Sequence, residues 1–461
     1  MLRCRLNAGC FLVLITVAGL LVRIRAVLTR PMIQLDETAY VRMAENLASG
    51  HGLRGMTGFN NTHFSPLVSF FITGIAAFLG DYVLSAFVVV AVFGSLVAVP
   101  TFLLGRELFC TRAGLMAAAL VMVLPLMIEF SSRVYSESIY TFFLLMALYF
   151  SLRMLRQHRH INGLAAGLSL GTAYLGNPAA VYYFLAIAVL ALVIMARRHR
   201  CLGKSLLLFN IGFMLFAAPY VVFLHSSLGK WTYSGKDLGP NIYASTHSLR
   251  HGTREWEADT MTLDEDAQLR QGVAGETTDP IRLLLRQPVQ SIHNLILQLK
   301  ILYFQEIARI VPLWLLPLLG LGLFAKPWRR SDLCSYGFLF LAMGASLSVL
   351  STYVFYRLFT PYVPMAMIIF ALGWLRLDEW VARETEWLGR RLRLSRWRWY
   401  VSALICVIVL LPPLYLAKIQ LSLTTYPLSY KQAGEWLKDR FGPDAVIMSR
   451  EYSSAYYAGG R

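Results

Sequence analysis

The chain has 461 residues, of which 57% are hydrophobic and only 15% charged, with a formal net charge of +17. Soluble domains carry about a quarter charged residues, so this composition, spread over repeated apolar runs of spanning length, excludes a soluble enzyme and indicates a polytopic helical membrane protein. The basic residues sit in short loops between apolar runs, as topology signals do, which argues against nucleic acid as their partner.

The first apolar run, about 8–27, follows Arg3 and Arg5 and has the look of a signal peptide. No small-x-small cleavage site follows it, and Arg23 and Arg25 interrupt its end, so it reads as an uncleaved anchor. A mixed stretch over 28–81 comes next. Within it, Tyr40, Val41, Ala44, Leu47 and Ala48 share one face of a predicted helix over 36–49, ended by Gly50 and Gly52. Residues 64–80, FSPLVSFFITGIAAFLG, are apolar but short and weakened by Pro66 and Gly74. They are predicted to lie in the outer interface, because a span there would put the basic loop 105–113 outside.

Further spans are predicted at about 83–104, 114–131, 137–152, 163–176, 179–196, 205–225, 305–324, 333–352, 358–375 and 399–417, about 11 in all. The fifth and sixth are parted by Gly176, Asn177 and Pro178. A polar segment over 226–300 parts the seventh and eighth. The stretch DEWVARETEWLGRRLRLSRWRWY (378–400) is basic, amphipathic and Trp-rich, and reads as a cytoplasmic interfacial helix held by anionic headgroups. The tail reads as a helix, a Gly-Pro turn and a short strand, AVIMS. One such unit cannot bury a core of its own. Either it leans on the membrane domain or it begins an outward domain that the chain does not finish. The expected division is thus a transmembrane domain over 1–417 and an outward C-terminal α/β segment over 418–461. No internal repeat is visible.

The charge pattern sets the expected orientation. Arg106 and Arg112; Arg153, Arg156 and Arg159; Arg197, Arg198, Arg200 and Lys204; Lys326, Arg329 and Arg330; and the run over 376–398 all fall on the side of the N-terminus, taken as cytoplasmic. Asp36, Glu37, Glu137 and the acidic cluster over 255–279 fall on the other side. The six cysteines, Cys4, Cys10, Cys110, Cys201, Cys334 and Cys406, lie in spans or cytoplasmic loops without a CxxC, which speaks against a disulfide framework or a Cys-based zinc site.

The acidic pair Asp36 and Glu37 is the leading functional candidate, since charges beside a span cost free energy unless they face water or a partner. Glu137 opens the fourth predicted span in SSRVYSESIYTF, at the same face. Each has a plainer reading. Asp36 suits a helix N-cap, and Glu137 can simply start a helix at the water boundary. Arg133 can snorkel to headgroups. His63, in NNTHFSPL, is structural or part of a site. Arg357 opens the tenth predicted span in FYRLFTPYVPMAM and is either a phosphate partner or an interfacial anchor. His247 and His251 have i,i+4 spacing that suits a metal, but no HExxH accompanies them. No P-loop, GxSxG or dinucleotide fingerprint occurs.

The segment DETAYVRMAENLASGHGL resembles the first-loop signature of the GT-C membrane glycosyltransferases, closest to the protein O-mannosyltransferase and lipid A aminoarabinose-transferase branch. There an Asp-Glu pair, a Tyr three residues later and a small-residue-rich helix follow the first span. HFSPLVSFFITGIAAFLGD is similar to the next interfacial element, GRELFCTRAGLMAAALVMVLP to the first cytoplasmic loop and third span, SRVYSESIYTFF to the second outward loop with its further acid, and YRLFTPYVPMAM to a late Arg-Tyr element ending in proline. Two departures stand out. Where the aminoarabinose transferases carry Lys-Pro-Pro, this chain has His63 to Pro66, and Arg357 is followed by Leu358 instead of tyrosine. The first departure argues against that particular substrate.

The resemblance implies an all-α polytopic enzyme of the bacterial inner membrane. It would move a sugar, with inversion, from a polyprenyl-phosphate carrier to a glycan, lipid or protein acceptor at the outer face. In that reading Asp36 is the base, Arg357 meets the leaving phosphate, and Glu37 and Glu137 orient the acceptor or hold a loop. Tyr40 and His63 line the sugar site, with Arg133 among the substrate-binding residues. Some branches use a divalent ion, and none is assigned here. The competing classes are a flippase for a lipid-linked sugar, which would be expected to show repeats and midplane charges, and a scaffold that has lost activity.

Overall fold

The structure is a computed structural model that describes residues 2–34, 36–56, 58–157, 159–198, 202–235, 261–263, 269–271, 288–324, 330–345, 356–392, 397–422, 426–442 and 452–459. The chain is an all-α polytopic membrane protein. Its helices are α1 (Leu2–Leu28), α2 (Asp36–Ala48), α3 (Leu67–Leu79), α4 (Tyr82–Leu96), α5 (Ala98–Leu108), α6 (Thr111–Val123), α7 (Pro125–Phe130), α8 (Glu137–Gln157), α9 (His160–Gly176), α10 (Ala180–Arg198) and α11 (Gly203–Leu228). After a short antiparallel pair, Met261–Leu263 with Leu269–Gln271, come α12 (Pro288–Ile301), α13 (Ile307–Ile310), α14 (Leu316–Phe324), α15 (Arg330–Gly344), α16 (Val363–Glu384), α17 (Glu386–Arg391), α18 (Trp397–Ser422), α19 (Leu428–Phe441) and α20 (Tyr452–Tyr457). Six helical stretches among the described residues are long and apolar enough to cross a membrane: Ala8–Leu28, Tyr82–Leu108, Glu137–Gln157, Ala180–Arg197, Gly203–Leu228 and Trp397–Ser422.

Burial separates the middle of the bundle from its rim. In the most apolar window of α8, 72% of residues are buried, against 17% in α1, so α8 is a central strut and α1 presents most of its surface outward. Helices approach closely through glycine. Gly163 and Gly167 of α9 face the carbonyl oxygens of Ser205 and Phe209 on α11, where an added Cβ would stand 2.2 and 2.1 Å away. Without water to drive helices together in a bilayer, such close backbone packing is the main source of association.

Several predicted spans are shaped differently by proline. The stretch predicted as one span over 114–131 breaks at Leu124, whose extended backbone precedes Pro125 at the start of α7. The run over 305–324 is no single helix. It begins in a π-helical turn, Leu302–Glu306, stops after α13 at the extended Val311 before Pro312, and resumes through a 3-10 turn into α14. Residues 378–400 do not form one interfacial helix. Their first part completes α16, their middle forms α17, and their end begins α18. The helix α3 has 13 residues. At 1.5 Å per residue it is about 20 Å long, too short to cross a hydrocarbon core of about 30 Å alone. It packs on α2 instead, its Ser69 and Thr73 hydroxyls donating to the carbonyls of Tyr40 and Ala44 at 2.8 and 3.1 Å.

In the tail, α20 folds back against α19 and against the first loop. The strand expected at AVIMS, the residues His247 and His251, and the acids of the cluster over 255–279 lie outside the described residues. Cys10, Cys110, Cys334 and Cys406 carry free thiols.

The charged residues sort to the two ends of α8. At its far end Arg156 meets the Glu107 carbonyl and carboxylate, and lies near Ser335 at the start of α15. At its first residue, Glu137, a different set of polar groups gathers. Its 21 residues separate the two sets by about 30 Å.

Candidate active site

Three chain segments far apart in sequence converge at the Glu137 end of α8: the start of α2, the turn over 131–136, and the 3-10 turn Tyr356–Phe359 before α16. Arg357 is their common partner. Its Nη1 lies 3.0 Å from Asp36 Oδ2, and its Nε donates to Glu137 Oε1. The guanidinium stacks over the Tyr135 ring, 3.8 Å from its centroid, which fixes its plane. Burial alone would lower the pKa of Arg357, but Glu137 and Asp36 outweigh it and the guanidinium is held charged, its pKa raised. The second oxygen of Glu137 is buried and has no hydrogen-bond partner among the described residues.

The adjacent acids do different work because neighbouring helical residues point in different directions. Asp36 keeps 37% of its side chain exposed and faces Arg357. Glu37 is closed, at 1% exposed. Its Oε2 accepts from Arg30 Nη2 and the Gln34 N–H, both at 2.8 Å, and its Oε1 accepts from the Val134 N–H at 3.0 Å. The bond to Gln34 spans the start of α2, so Glu37 both holds the chain leading into α2 and ties it to the turn that carries Tyr135. Asp36, offered by its sequence position as an N-cap, instead turns its carboxylate to Arg357. Replacing Glu37 by Ala would leave Arg30, only 3% exposed, buried without its counter-charge. The expected cost is about 3–5 kcal/mol, read as a lowered midpoint of thermal unfolding in detergent. An unchanged midpoint would show that this latch carries no stability.

Tyr40 lies under the site. Its ring meets Phe64 edge-on at 5.3 Å. Burial first, then the nearby Glu137, raises its pKa, so the phenol stays protonated. His63 is exposed, and its ring meets Phe64 edge-on at 5.0 Å. Arg133 turns from the Asp36 cluster to a second one. It pairs with Glu129 at 2.9 Å, and Glu129 also accepts from the Tyr356 hydroxyl at 3.3 Å and Gln420 Nε2 at 3.1 Å. The structure thus unites Asp36, Glu137 and Arg357, sets Glu37 and Tyr40 behind them, and places Arg133 and His63 to the side. Arg30, Glu129 and Tyr135 were missed by sequence reasoning. Arg30 looks like a topology charge at the end of a span, and Glu129 is hidden in an apolar run.

Among the described residues, no cluster of three or more His, Cys, Asp or Glu is placed to hold a metal ion. The two carboxylates that meet converge on a guanidinium, which stands where a shared cation would.

Residues 63–223 match the family model described as dolichyl-phosphate-mannose-protein mannosyltransferase. That span includes Arg133 and Glu137, while Asp36 precedes it and Arg357 follows it. No curated protein sequence matches the chain. Among solved structures, the Archaeoglobus fulgidus oligosaccharyltransferase in complex with Zn and sulfate aligns over 93% of this chain and 55% of its own, at 15% identity and a TM-score of 0.57. The same archaeal enzyme, in complex with an inhibitory peptide and a dolichol-phosphate, gives 93%, 58%, 15% and 0.54. ArnT from Cupriavidus metallidurans bound to undecaprenyl phosphate aligns over 96% of this chain and 84% of its own, at 15% identity and a TM-score of 0.56. The chain spans little more than half the length of the archaeal enzyme. The fold is that of the archaeal oligosaccharyltransferase and of ArnT, in keeping with what the first-loop motif led one to expect.

Proposed function

We propose that this chain is an integral-membrane inverting glycosyltransferase. It would move a sugar from a polyprenyl-phosphate carrier to an acceptor hydroxyl at the outer, extracytoplasmic face. The observation that carries the reading is the convergence of Asp36 and Glu137 on Arg357 at one end of the bundle. Structures of similar fold hold a dolichol-phosphate in one case and undecaprenyl phosphate in another, which supports a lipid-phosphate donor.

The chemistry follows from the leaving group. A phosphate departs without needing a proton, so one base suffices, unlike glycoside hydrolysis, which also needs an acid on the leaving oxygen. Asp36 is the more exposed of the paired acids and takes the acceptor hydroxyl proton as that oxygen attacks the anomeric carbon. The bond from that carbon to the phosphate oxygen breaks, and its electron pair leaves with the phosphate. A guanidinium has five N–H donors, and the two ion pairs of Arg357 engage two of them, leaving donors for the developing negative charge. Glu137, through its open oxygen, orients the acceptor, while Glu37 holds the loop. Arg133 and His63, at the margin, contact the bound substrates. The basic residues of the short loops at the far end of α8, Arg106, Arg112, Arg153 and Arg156, support an outward-facing site.

The test is direct. Purified protein in liposomes is given polyprenyl-phosphate mannose and a panel of other polyprenyl-phosphate sugars, with envelope extract as acceptor, and the products are read by mass spectrometry. A new glycosidic bond supports the reading. Movement of intact donor across the sealed bilayer without bond formation would replace it with transport.

A further inference from the structure

The C-terminal helices touch the bundle at a revealing place: residues 30–34, the irregular segment that leads from α1 into the acidic pair. The Tyr426 ring lies 5.7 Å from the Arg30 guanidinium, which also meets Phe87 at 5.6 Å. Lys431 Nζ donates to the Pro31 carbonyl at 3.3 Å. The Ile33 N–H donates to the Tyr457 hydroxyl at 3.0 Å. Alongside, the Tyr456 hydroxyl donates to Glu45 Oε1 at 3.0 Å, and Arg42 lies over the Tyr456 ring at 5.3 Å, both on α2. The docking depends on Gly434. A Cβ there would stand 2.5 Å from the Ser454 carbonyl oxygen and 2.8 Å from the Tyr457 Cβ.

Segment 30–34 has no helix or strand to satisfy its backbone. Ile33 is fully buried, so its N–H has no water to turn to. Tyr457 supplies the acceptor for Ile33, and Glu37 supplies the one for Gln34, the next residue. Glu37 then grips the Val134 N–H, next to Tyr135, on whose ring Arg357 rests. The bonds form a continuous series from the tail to the candidate catalytic cation.

We propose that the C-terminal helix pair braces the active site, with Tyr457 as a positioning residue that fixes the Ile33–Gln34 backbone and, through Glu37, the turn beneath Arg357. The catalytic consequence rests on the transferase reading; the mechanical one does not. Tyr457→Phe removes a single hydroxyl and keeps the Cβ that stands against Gly434. In the full chain in nanodiscs, the peptide carrying Ile33 and Gln34 is expected to exchange amide hydrogen about tenfold faster. The peptide carrying Val134, whose described bonds run to Glu37 and not to the tail, is expected to follow by about threefold. With polyprenyl-phosphate mannose as donor, kcat is expected to fall about fivefold while the donor KM stays within about twofold, because no donor contact is lost.

Faster exchange confined to the tail and to Ile33, with Val134 unchanged, overturns the brace. So does an unchanged kcat in a protein whose wild type is active. A wild type that transfers nothing from that donor counts against the transferase reading, and exchange at Val134 still decides the brace. Should Tyr457→Phe fail to fold, Lys431→Met, which frees the Pro31 carbonyl and gives up the Lys431 contacts with Glu435 and the Tyr457 ring, is expected to move both peptides in the same direction by a smaller factor, and no movement in either overturns the proposal.

Discussion

Asp36→Asn is expected to cut sugar transfer by about 10²–10⁴-fold, the usual worth of a general base, while leaving the protein folded. Asparagine keeps the size of aspartate and still offers Arg357 an oxygen to bond. What it loses is the ability to accept a proton. The side chain is more than a third exposed, at 37%, so solvent softens the loss of its charge and little stability goes with it. Rate and fold therefore separate, which makes this variant more informative than one at Glu37, where the carboxylate holds backbone and Arg30 together. The measurement is initial rate of transfer alongside thermal unfolding and size-exclusion behaviour. A variant that keeps most of its activity removes Asp36 as the base and shifts attention to Glu137, whose open oxygen is the other acceptor at the site.

Composition and charge pattern alone made the bundle legible, because a bilayer accepts few solutions. Apolar runs of spanning length must be helices, and short basic loops must share a side. The boundaries that went astray did so at proline. Pro125 and Pro312 each follow a residue with an extended backbone, and each divides a run that hydropathy reads as one piece. The candidate site was legible in part. Asp36 and Arg357 are 321 residues apart, and nothing in periodicity or spacing brings them together. The resemblance of their surrounding motifs put both at one site, but nothing in it foresaw that they pair. The supporting residues were less visible still. Arg30 carries no local mark that separates it from Arg23 or Arg25, yet it alone reaches both Glu37 and the Ser132 carbonyl, at 2.8 and 2.6 Å. Tyr457 is one tyrosine among several in the tail, and its role comes from where the tail folds back, a tertiary fact with no local signature.

Arg357→Ala is expected to damage both rate and stability, and a second substitution can part the two. Removing the guanidinium takes away the donor for the departing phosphate, worth about 10²–10³-fold by analogy with the loss of a donor to a developing oxyanion. It also leaves Glu137, with 12% of its side chain exposed, buried beside Asp36 with no positive charge between them. Breaking such a buried pair costs about 3–5 kcal/mol. Arg357→Lys keeps the charge but not the planar fork that reaches two carboxylates and lies flat on Tyr135, so it is expected to recover stability only in part. The decisive comparison is Arg357→Ala combined with Glu137→Gln. Neutralising Glu137 removes the buried charge, so the unfolding midpoint should return most of the way toward wild type. Transfer should not return, because nothing has replaced the cation facing the phosphate. If the double variant regains transfer together with its midpoint, Arg357 serves only to neutralise its acidic neighbours. The leaving group must then find its positive partner in the second cluster, where Arg133 and Arg309 flank Tyr356.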